Sequence, residues 1–302
     1  MRIVVALGGN ALLKRGEPLT AENQRRNLRE VAPALAGIAA EHQLILVHGN
    51  GPQVGLLALE ADAYKEAPPM PLDVLSAESQ GMIGYVIQQE LKRAQPKSQF
   101  VTVLTQTVVA ADDPAFGKPS KPIGPIYDEA AAKALAKSEG WDIAKDGAYF
   151  RRVVASPEPL EIVELPAIRD LLADAMTPIC CGGGGVPVTR DNEGRLTGVE
   201  AVIDKDLAAA KLGIALDADR LVILTDVEGV FADWGTPNAR LLTEIDAKTC
   251  DPSSFASGSM GPKVKAACRF ALAAKASVTI GALDQAEAVL AGTSGTTIAA
   301  AS

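Results

Sequence analysis

Residues 2–10, RIVVALGGN, decide the fold of this chain of 302 residues. The apolar run Ile3–Leu7 has the length and composition of one buried strand, and Gly8 and Gly9 end it. Glycine has no Cβ, so the backbone N–H groups of such a loop can approach an anion closely. The stretch therefore predicts a buried strand with a candidate phosphate-binding loop at its carboxyl end.

Short apolar runs of this kind recur, each followed by glycine or a polar turn. The other predicted strands are Leu44–Val47, Phe100–Leu104, Ile179–Cys181, Leu221–Leu224 and Ser277–Ile280. Segments with helical spacing lie between them: Glu22–Ala40, Ser76–Ala94, Asp206–Leu212 and Pro262–Ala276. This alternation predicts an α/β fold, a three-layer αβα sandwich with a mostly parallel central sheet. Ligands bind at the carboxyl ends of the strands in such sheets.

Two regions interrupt the alternation. Asp112–Pro125 is rich in proline, glycine and lysine, and it precedes two further predicted strands, Ala148–Val154 and Leu160–Leu165. We interpret residues 112–165 as a small inserted lid subdomain. The second region, Asp233–Pro252, is interpreted as an exposed connection.

The overall composition argues against two kinds of partner. The chain has 29 basic and 37 acidic residues and a formal net charge of −8, without a long run of lysine and arginine. We therefore expect neither a nucleic acid nor an anionic membrane as a partner. The N-terminal apolar run is too short for a signal peptide, and no stretch is long and apolar enough to span a bilayer. These observations predict a cytoplasmic protein.

The cysteines and histidines do not indicate a metal site. The four cysteines, of which Cys180 and Cys181 are adjacent, form neither a disulfide framework nor a CxxC pair. They are interpreted as buried small side chains in a reducing compartment. His42 and His48 lack partners at metal-ligand spacing, so we expect no metal ligands from protein side chains.

Three glycine-rich loops are candidate anion sites. Gly8-Gly9-Asn10 and Gly49-Asn50-Gly51 each follow a predicted strand, and Gly182–Gly185 follows a third. A tight structural turn is the alternative for any one loop alone. The P-loop pattern GxxxxGK[ST] is absent, and Val54 stands where a dinucleotide-binding GxGxxG would need its third glycine.

Lysines near predicted helix starts are the second candidate feature. Lys205 and Asp206 precede a helical run, where they indicate an anion or metal-phosphate contact, although Asp206 could instead cap the helix. Lys263 follows Pro262, which fits a first helical turn with free N–H groups. Prolines stiffen the segment that contains Lys118 and Lys121, so its lysines could be aimed at a ligand. A single lysine is more often a solvated surface charge, and Lys118 fits that alternative better than Lys121.

The motifs, in order, resemble those of carbamate kinases, within the amino acid kinase superfamily. They lie at Ala6–Leu12, His48–Gly55, Ala77–Tyr85, Lys121–Pro125, Gly182–Val188, Gly198–Ala209, Leu224–Val230 and Gly258–Val264. The resemblance implies a reversible reaction in which ATP and carbamate give ADP and carbamoyl phosphate. It further implies Mg²⁺ held by the nucleotide phosphates, a homodimer, and use toward ATP synthesis in arginine or agmatine breakdown.

The resemblance also implies site residues and a division of one amino-acid-kinase-like domain over residues 1–302. Lobe 1–205 would bind carbamate and the phosphoryl group, and lobe 206–302 the nucleotide. The implied catalytic residues are Lys121, Lys205, Asp206 and Lys263. Those implied to bind the carbamoyl and phosphoryl groups are Gly8, Gly9, Asn10, Gly49, Asn50 and Gly51. Those implied to bind the nucleotide are Thr225, Asp226, Val230, Phe231, Met260, Gly261 and Lys263.

The sequence departs from the family pattern at three places. The lid reads Ala148–Arg152 where a Gly-Tyr-Arg-Arg-like run is usual, and Ser156–Pro159 has Glu158 in place of a lysine. Phe231 stands where the adenosine-binding stretch usually ends in tyrosine, and Trp234 follows shortly. These departures concern the details of the lid and the stacking of the base, not the class of reaction.

Three other functions remain as alternatives. Another kinase of the superfamily, acting on N-acetylglutamate or a nucleoside monophosphate, would not be expected to carry the KPIG and GVEAVIDKD segments. A silent nucleotide-binding sensor should have lost lysines that this chain keeps. A nicotinamide-dependent oxidoreductase needs a true GxGxxG followed by an acidic residue. We interpret His48 as orienting backbone, with catalysis as the alternative, because an ionised carbamate needs no general base.

Overall fold

The structure, a computed structural model, describes residues 1–9, 12–14, 16–256 and 258–301. Its strands are β1 (Arg2–Leu7), β2 (Gln43–His48), β3 (Phe100–Thr102), β4 (Gln106–Val108), β5 (Lys121–Tyr127), β6 (Ile143–Asp146), β7 (Tyr149–Val154), β8 (Glu161–Ile162), β9 (Thr177–Ile179), β10 (Val186–Arg190), β11 (Leu196–Gly198), β12 (Arg220–Thr225), β13 (Val230–Ala232), β14 (Arg240–Leu242), β15 (Glu244–Asp246), β16 (Ser277–Ala282) and β17 (Thr296–Ala299). Its helices are α1 (Ala21–Glu41), α2 (Gly51–Ala63), α3 (Leu72–Ala94), α4 (Glu129–Glu139), α5 (Leu165–Ala173), α6 (Lys205–Ala215), α7 (Met260–Ala274) and α8 (Ala286–Ala291).

The central sheet of the described chain runs in the order β15–β17–β16–β12–β1–β2–β9–β3. Its neighbouring strands are parallel except for the antiparallel pair β16–β17. Because β1, β2 and β12 are adjacent and parallel, their carboxyl ends meet at one edge of the sheet. The predicted α/β class with a mostly parallel central sheet is confirmed.

Helices cover both faces of this sheet, which gives the predicted three layers. Successive strand side chains point to opposite faces, so Val4 and Ala6 of β1 pack on the side of α6 and α7. Ile3, Val5 and Leu7 pack on the other side, in the core that contains side chains of α1, α3 and α8. Full burial of an aliphatic side chain contributes about 1.5–3 kcal/mol, and these two cores contain most of the buried apolar side chains.

Several predicted segments differ from the structure. The strand expected at Phe100–Leu104 ends at Thr102. The strand expected at Ile179–Cys181 ends at Ile179, because Cys181 is left-handed with φ +49° and opens the turn Gly182–Gly184. The interpretation of Asp233–Pro252 as only an exposed connection was wrong. This segment contains β14 and β15, and β15 extends the central sheet by pairing with β17.

The region interpreted as a lid divides between two small sheets. β5, β7 and β6 form a three-stranded antiparallel sheet, against which α4 packs. The strand predicted at Leu160–Leu165 is shorter, and β8 pairs with β4 in a separate sheet of order β11–β10–β4–β8. Leu165 already belongs to α5, whose second residue is a proline. Residues 112–165 as one unit thus stay a prediction.

A close glycine contact joins the three-stranded sheet to α2. Gly124 of β5 is left-handed, with φ +70°, and the strand bulges between Ile123 and Tyr127. A Cβ on Gly55 of α2 would lie only 2.0 Å from the Cα of Gly124. The two backbones can approach this closely only because residue 55 has no Cβ, whereas Gly124 is favoured by its left-handed conformation, since a Cβ there would lie 3.7 Å from the Cα of Gly55. In the part of the chain that the structure describes, no helix is long and apolar enough to cross a membrane.

Candidate active site

A cleft of about 990 Å³ opens at the carboxyl ends of β1, β2 and β12. Most of the predicted site residues line it together: Gly8, Gly9, Gly49, Asn50, Gly51, Lys121, Lys205, Asp206, Thr225, Asp226, Phe231, Met260 and Lys263. Two predicted nucleotide-binding residues do not, because Val230 is fully buried in β13 and Gly261 is buried in α7. Asn10 lies outside the described residues. The fold thus brings residues from three separate loops and two helix starts into one site.

The first two glycine loops are packed against neighbouring backbone. Gly8 N donates to the carbonyl of Leu224 at 2.9 Å, and a Cβ on Gly8 would lie 2.9 Å from that same oxygen. A Cβ on Gly49 would lie 3.3 Å from the side chain of Lys205. Larger residues at either position would push β1, β2 and β12 apart or displace the lysine. Packing therefore requires glycine at position 8, whereas at position 49 the flexible side chain of Lys205 would have to move by only a few tenths of an ångström.

The four-glycine loop encloses Asn50, which precedes α2. Gly183 is left-handed, with φ +63°, and a Cβ there would overlap the Asn50 side chain at 2.2 Å. Asn50 Nδ2 donates to Ser79 Oγ at 2.8 Å, and that hydroxyl donates to the carbonyl of Ser76. This chain of bonds fixes the amide of a 3% exposed side chain at the edge of the cleft.

His48 is held neutral and faces backbone. Burial lowers its pKa to about 4, and the charge of Lys205 contributes in the same direction. Its Nδ1 lies 3.0 Å from the carbonyl of Gly49, so this nitrogen carries the proton and donates. On the other side of the ring, Nε2 lies where a Cβ on Gly182 would approach to 2.5 Å. This geometry supports the interpretation that His48 orients the glycine loops.

Three lysines converge on two aspartates beside the loops. Lys121 Nζ of β5 lies 2.5 Å from Asp204 Oδ2. Lys205 pairs with Oδ1 of Asp206, and Lys263 Nζ of α7 donates to Oδ2 of the same carboxylate at 3.0 Å. Asp204 is the N-cap of α6, because its Oδ1 accepts from the N–H groups of Asp206 and Leu207. The alternative that Asp206 caps the helix was therefore wrong.

The charged groups of this cluster shift the pKa values of their neighbours. Burial raises the pKa of Asp206, but the ammonium groups of Lys205 and Lys263 outweigh it and hold the pKa below its usual range. Asp204 is held low against burial in the same way, chiefly by Lys121. Burial lowers the pKa of Lys205, which Asp206 only partly offsets. The pKa of Lys263 is instead raised, because the attraction of Asp206 and Asp204 exceeds the effect of burial.

Asp204 and Arg151 are among the residues that line the cleft but were not predicted as site residues. Asp204 adjoins the predicted pair, and its position directly before a helix start is the signal that could have identified it. Arg151 of β7 also lines the cleft, with Nη2 donating to the carbonyl of Gly124 at 2.7 Å. Its Nε is buried without a hydrogen-bond partner in the described structure. A sequence gives no indication of which of two adjacent arginines on a strand will face a site.

An aromatic pair lines the cleft beyond β12. The rings of Phe231 and Trp234 have centroids 5.1 Å apart and are tilted by 59°. Within the described ranges, no group of three or more histidine, cysteine, aspartate or glutamate side chains could hold a metal ion. Asp204 and Asp206 are each paired with lysine.

Comparison with known proteins defines the class. The sequence profile of the amino acid kinase family matches residues 1–282. The chain belongs to this family and is a phosphotransferase. ATP-dependent phosphoryl transfer of this kind generally requires a divalent metal.

Comparison with individual relatives points to a narrower group within this family. The carbamate kinase of Haemophilus influenzae is 51% identical over 299 residues, which are 99% of this chain and 96% of that protein. The carbamate kinase of Escherichia coli K12 is 52% identical over 296 residues, 98% of each chain. The solved structure of carbamate kinase from Giardia lamblia bound to AMP-PNP is 39% identical, with a TM-score of 0.88 over 99% of this chain and 98% of that one. The resemblance to carbamate kinases is confirmed.

Proposed function

We propose that this protein transfers a phosphoryl group reversibly between ATP and carbamate, with ADP and carbamoyl phosphate as the other pair of substrates. One observation carries the proposal: Lys121, Lys205 and Lys263 converge beside the glycine loops of β1 and β2. The similarity to carbamate kinases over almost the whole chain supports carbamate as the acceptor.

The charge of the cluster suits two anionic reactants. Three ammonium groups face two carboxylates, which leaves one net positive charge before the backbone N–H groups are counted. The lysines are mostly withdrawn from solvent, with side chains 32%, 11% and 16% exposed for Lys121, Lys205 and Lys263. Charges held in place and shielded from water stabilise a developing negative charge more strongly than solvated ones.

The chemical step needs positioning rather than a base. In the ATP-forming direction, an oxygen of the terminal phosphate of ADP attacks the phosphorus of carbamoyl phosphate. The bond from phosphorus to the carbamoyl oxygen breaks, and carbamate leaves as an anion, so no proton has to move. The neutral, backbone-bound His48 is consistent with a reaction that needs no general base.

The residues divide between the two substrates. We assign Gly8, Gly9, Gly49, Asn50 and Gly51 to the carbamoyl and transferred phosphoryl groups, together with Asn10 outside the described residues. Lys121 and Lys205 contact the transferred phosphoryl group, and Lys263 contacts the nucleotide phosphates. Asp206 positions both Lys205 and Lys263. Thr225, Asp226, Phe231 and Met260 face the nucleotide, whereas Val230 and Gly261 support it from buried positions.

Several features of the proposal follow from the resemblance to the family and not from contacts between residues of the structure. Mg²⁺ is the divalent metal and neutralises the nucleotide phosphates. The enzyme acts in the cytoplasm as a homodimer and forms ATP during arginine or agmatine breakdown. Residues 112–165 act as a lid inserted within lobe 1–205, which binds carbamate and the phosphoryl group, and lobe 206–302 binds the nucleotide.

A panel of acceptors tests the choice of substrate. The purified protein is mixed with MgATP and one acceptor: carbamate formed from ammonia and bicarbonate, N-acetylglutamate or UMP. ADP release is followed with a coupled assay. We expect release that depends on carbamate alone. Release with N-acetylglutamate or UMP, and none with carbamate, would assign the chain to another activity of the superfamily.

A further inference from the structure

A second cavity, of about 550 Å³, lies beside the three-stranded sheet, and among the described residues none lines both this cavity and the active-site cleft. Its volume is typical of sites that bind small molecules. Consecutive residues of a strand point to opposite faces, and β7 contributes to both: Arg151 lines the cleft, whereas Arg152 lines the second cavity. The second cavity is therefore a separate candidate site on the other face of β7.

One wall of this cavity is apolar and well packed. Leu72 and Leu75 of α3 and Val154 of β7 line it, and all three side chains are buried in a small core between α2, α3 and the three-stranded sheet. Met70 also lines the cavity and is 57% exposed. An apolar group of a ligand that enters from solvent can therefore be covered by packed apolar side chains.

Arg152 brings a positive charge without a hydrogen-bond partner to the same cavity. Its guanidinium stacks on the ring of Trp141 at 4.6 Å, yet its side chain donates no hydrogen bond to any residue that the structure describes. Burial lowers the pKa of Arg152, an effect that the charge of Glu200 opposes. A guanidinium has five N–H donors in a planar fork that matches a carboxylate. The half-buried Arg152 therefore indicates a site for an anionic group.

Fixed negative charge lines the cavity as well. Glu200 Oε1 accepts from the N–H of Leu72 at 2.9 Å, which holds this carboxylate at the start of α3. Asp62 also lines the cavity and pairs with Lys65 at 3.3 Å. In the described part of the chain, neither acid forms an ion pair with Arg152. Opposite charges that line one cavity without touching leave room for a ligand that carries both charges.

We infer that this cavity binds a free amino acid with an apolar side chain. The carboxylate of the amino acid accepts hydrogen bonds from Arg152, its ammonium group pairs with Glu200, and its side chain lies against the apolar wall. A simple anion fits less well, because Glu139 and Asp142 also line the cavity and make it acidic overall. The inference does not depend on the proposed function, because the cavity and the cleft are separate.

Isothermal titration calorimetry with L-leucine and L-phenylalanine tests the site. We expect saturable binding of at least one of them to the wild-type protein. Analogues of the tighter binder that lack the ammonium group (isocaproate or hydrocinnamate) or the carboxylate (isoamylamine or phenethylamine) should bind at least about tenfold more weakly, because each loses one charged partner. Absence of binding by both amino acids, or an analogue that binds as tightly as its amino acid, would overturn the inference.

Variants assign the binding to this cavity. Arg152→Gln and Glu200→Gln should each weaken the affinity at least about tenfold, with folding checked by circular dichroism. Glutamine at position 200 keeps an oxygen that can accept from Leu72 N. Arg195→Gln is the matched control, because Arg195 is 69% exposed and does not line the cavity, so the affinity should not change. Wild-type affinity in folded Arg152→Gln and Glu200→Gln would overturn the inference.

Trp141 reports on the same cavity by fluorescence. The chain has two tryptophans, Trp141 and Trp234, so Trp234→Phe leaves Trp141 as the only reporter. Titration with the tighter-binding amino acid should change the Trp141 emission to saturation at the Kd that calorimetry gives, because the ligand and the indole both contact the guanidinium of Arg152. An emission that stays unchanged while calorimetry detects binding to the same sample would place the amino acid outside this cavity and overturn the inference.

Discussion

Lys263 donates a 3.0 Å hydrogen bond to the carboxylate of Asp206, and this bond joins the first turn of α7 to the first turn of α6. The same carboxylate also pairs with Lys205. One buried acid therefore sets the positions of two lysines that come from distant parts of the sequence. The predictions below follow from this shared carboxylate and from the contacts around it.

Asp206→Asn should destabilise the protein by about 3 kcal/mol, because it leaves two largely buried ammonium groups without their counter-charge. Urea unfolding at neutral pH measures the change. Asp62→Asn is the matched control, since Asp62 pairs with the 72% exposed Lys65 and its loss should cost less than about 1 kcal/mol. If the two substitutions lower the free energy of unfolding equally, the ion pairs of Asp206 contribute no more to stability than an exposed pair.

Lys121→Ala and Lys205→Ala should each lower kcat by at least about a hundredfold while the protein stays folded, because each removes a charge aimed at the cleft. Circular dichroism and a steady-state assay measure folding and turnover. Lys118→Ala is the control: Lys118 is exposed and does not line the cleft, so its loss should have a much smaller effect. Folded variants of Lys121 and Lys205 with near-normal turnover would contradict the assignment.

Gly55→Ala should displace β5 and with it Lys121, because the added methyl group would lie 2.0 Å from Gly124. We expect kcat to fall at least about tenfold, since small misplacements of a catalytic group are costly. Gly81→Ala is the control on α3, where an added Cβ meets nothing within 4 Å. That variant should keep full activity. An active Gly55→Ala enzyme would mean that the contact does not fix the lid strand.

His48 should make stability depend on pH in a defined window. Its pKa is about 4 when folded and 6.5 when exposed, so below pH 6.5 the unfolded chain binds a proton that the folded protein does not. The contribution of the neutral His48 to the free energy of unfolding is complete above pH 6.5 and is lost as the pH falls toward 4. It amounts to roughly 3 kcal/mol at about 1.4 kcal/mol per pH unit.

Urea unfolding of wild type and His48→Gln between pH 7.5 and 4.5 measures this loss. The variant should show a flatter dependence of the free energy of unfolding on pH than the wild type. Parallel curves for wild type and His48→Gln would contradict a buried neutral imidazole.

Much of the fold followed from local patterns, because the buried strands of a parallel sheet are continuous apolar runs. Ile3–Leu7 and Leu221–Leu224 were predicted within one residue of the observed strands at each end. Cys181 was wrongly assigned to a strand. Its left-handed conformation depends on the packing of the glycine turn, which a local pattern does not contain. The strand pairing of β15 depends on a partner about fifty residues away, which no local pattern contains.

The candidate site was predicted mainly through motifs, and the contacts between its residues were not. Lys121 and Asp204 are 83 positions apart, and nothing in either segment indicates that they pair. Asp206 was expected as a catalytic residue, but its segment does not indicate that one carboxylate would bind both Lys205 and Lys263. Arg151 was missed because the hydrogen bond of its guanidinium to the carbonyl of Gly124, on the neighbouring strand, is a tertiary contact.

ATP synthesis from ADP and carbamoyl phosphate, followed with luciferase in the presence of Mg²⁺, tests the central claim most directly. Wild type should form ATP at a rate proportional to enzyme, Lys118→Ala should do nearly the same, and Lys205→Ala should be slower by at least about a hundredfold. Absence of ATP formation by the folded wild-type protein, or equal rates for wild type and Lys205→Ala, would contradict phosphoryl transfer from carbamoyl phosphate at this lysine cluster.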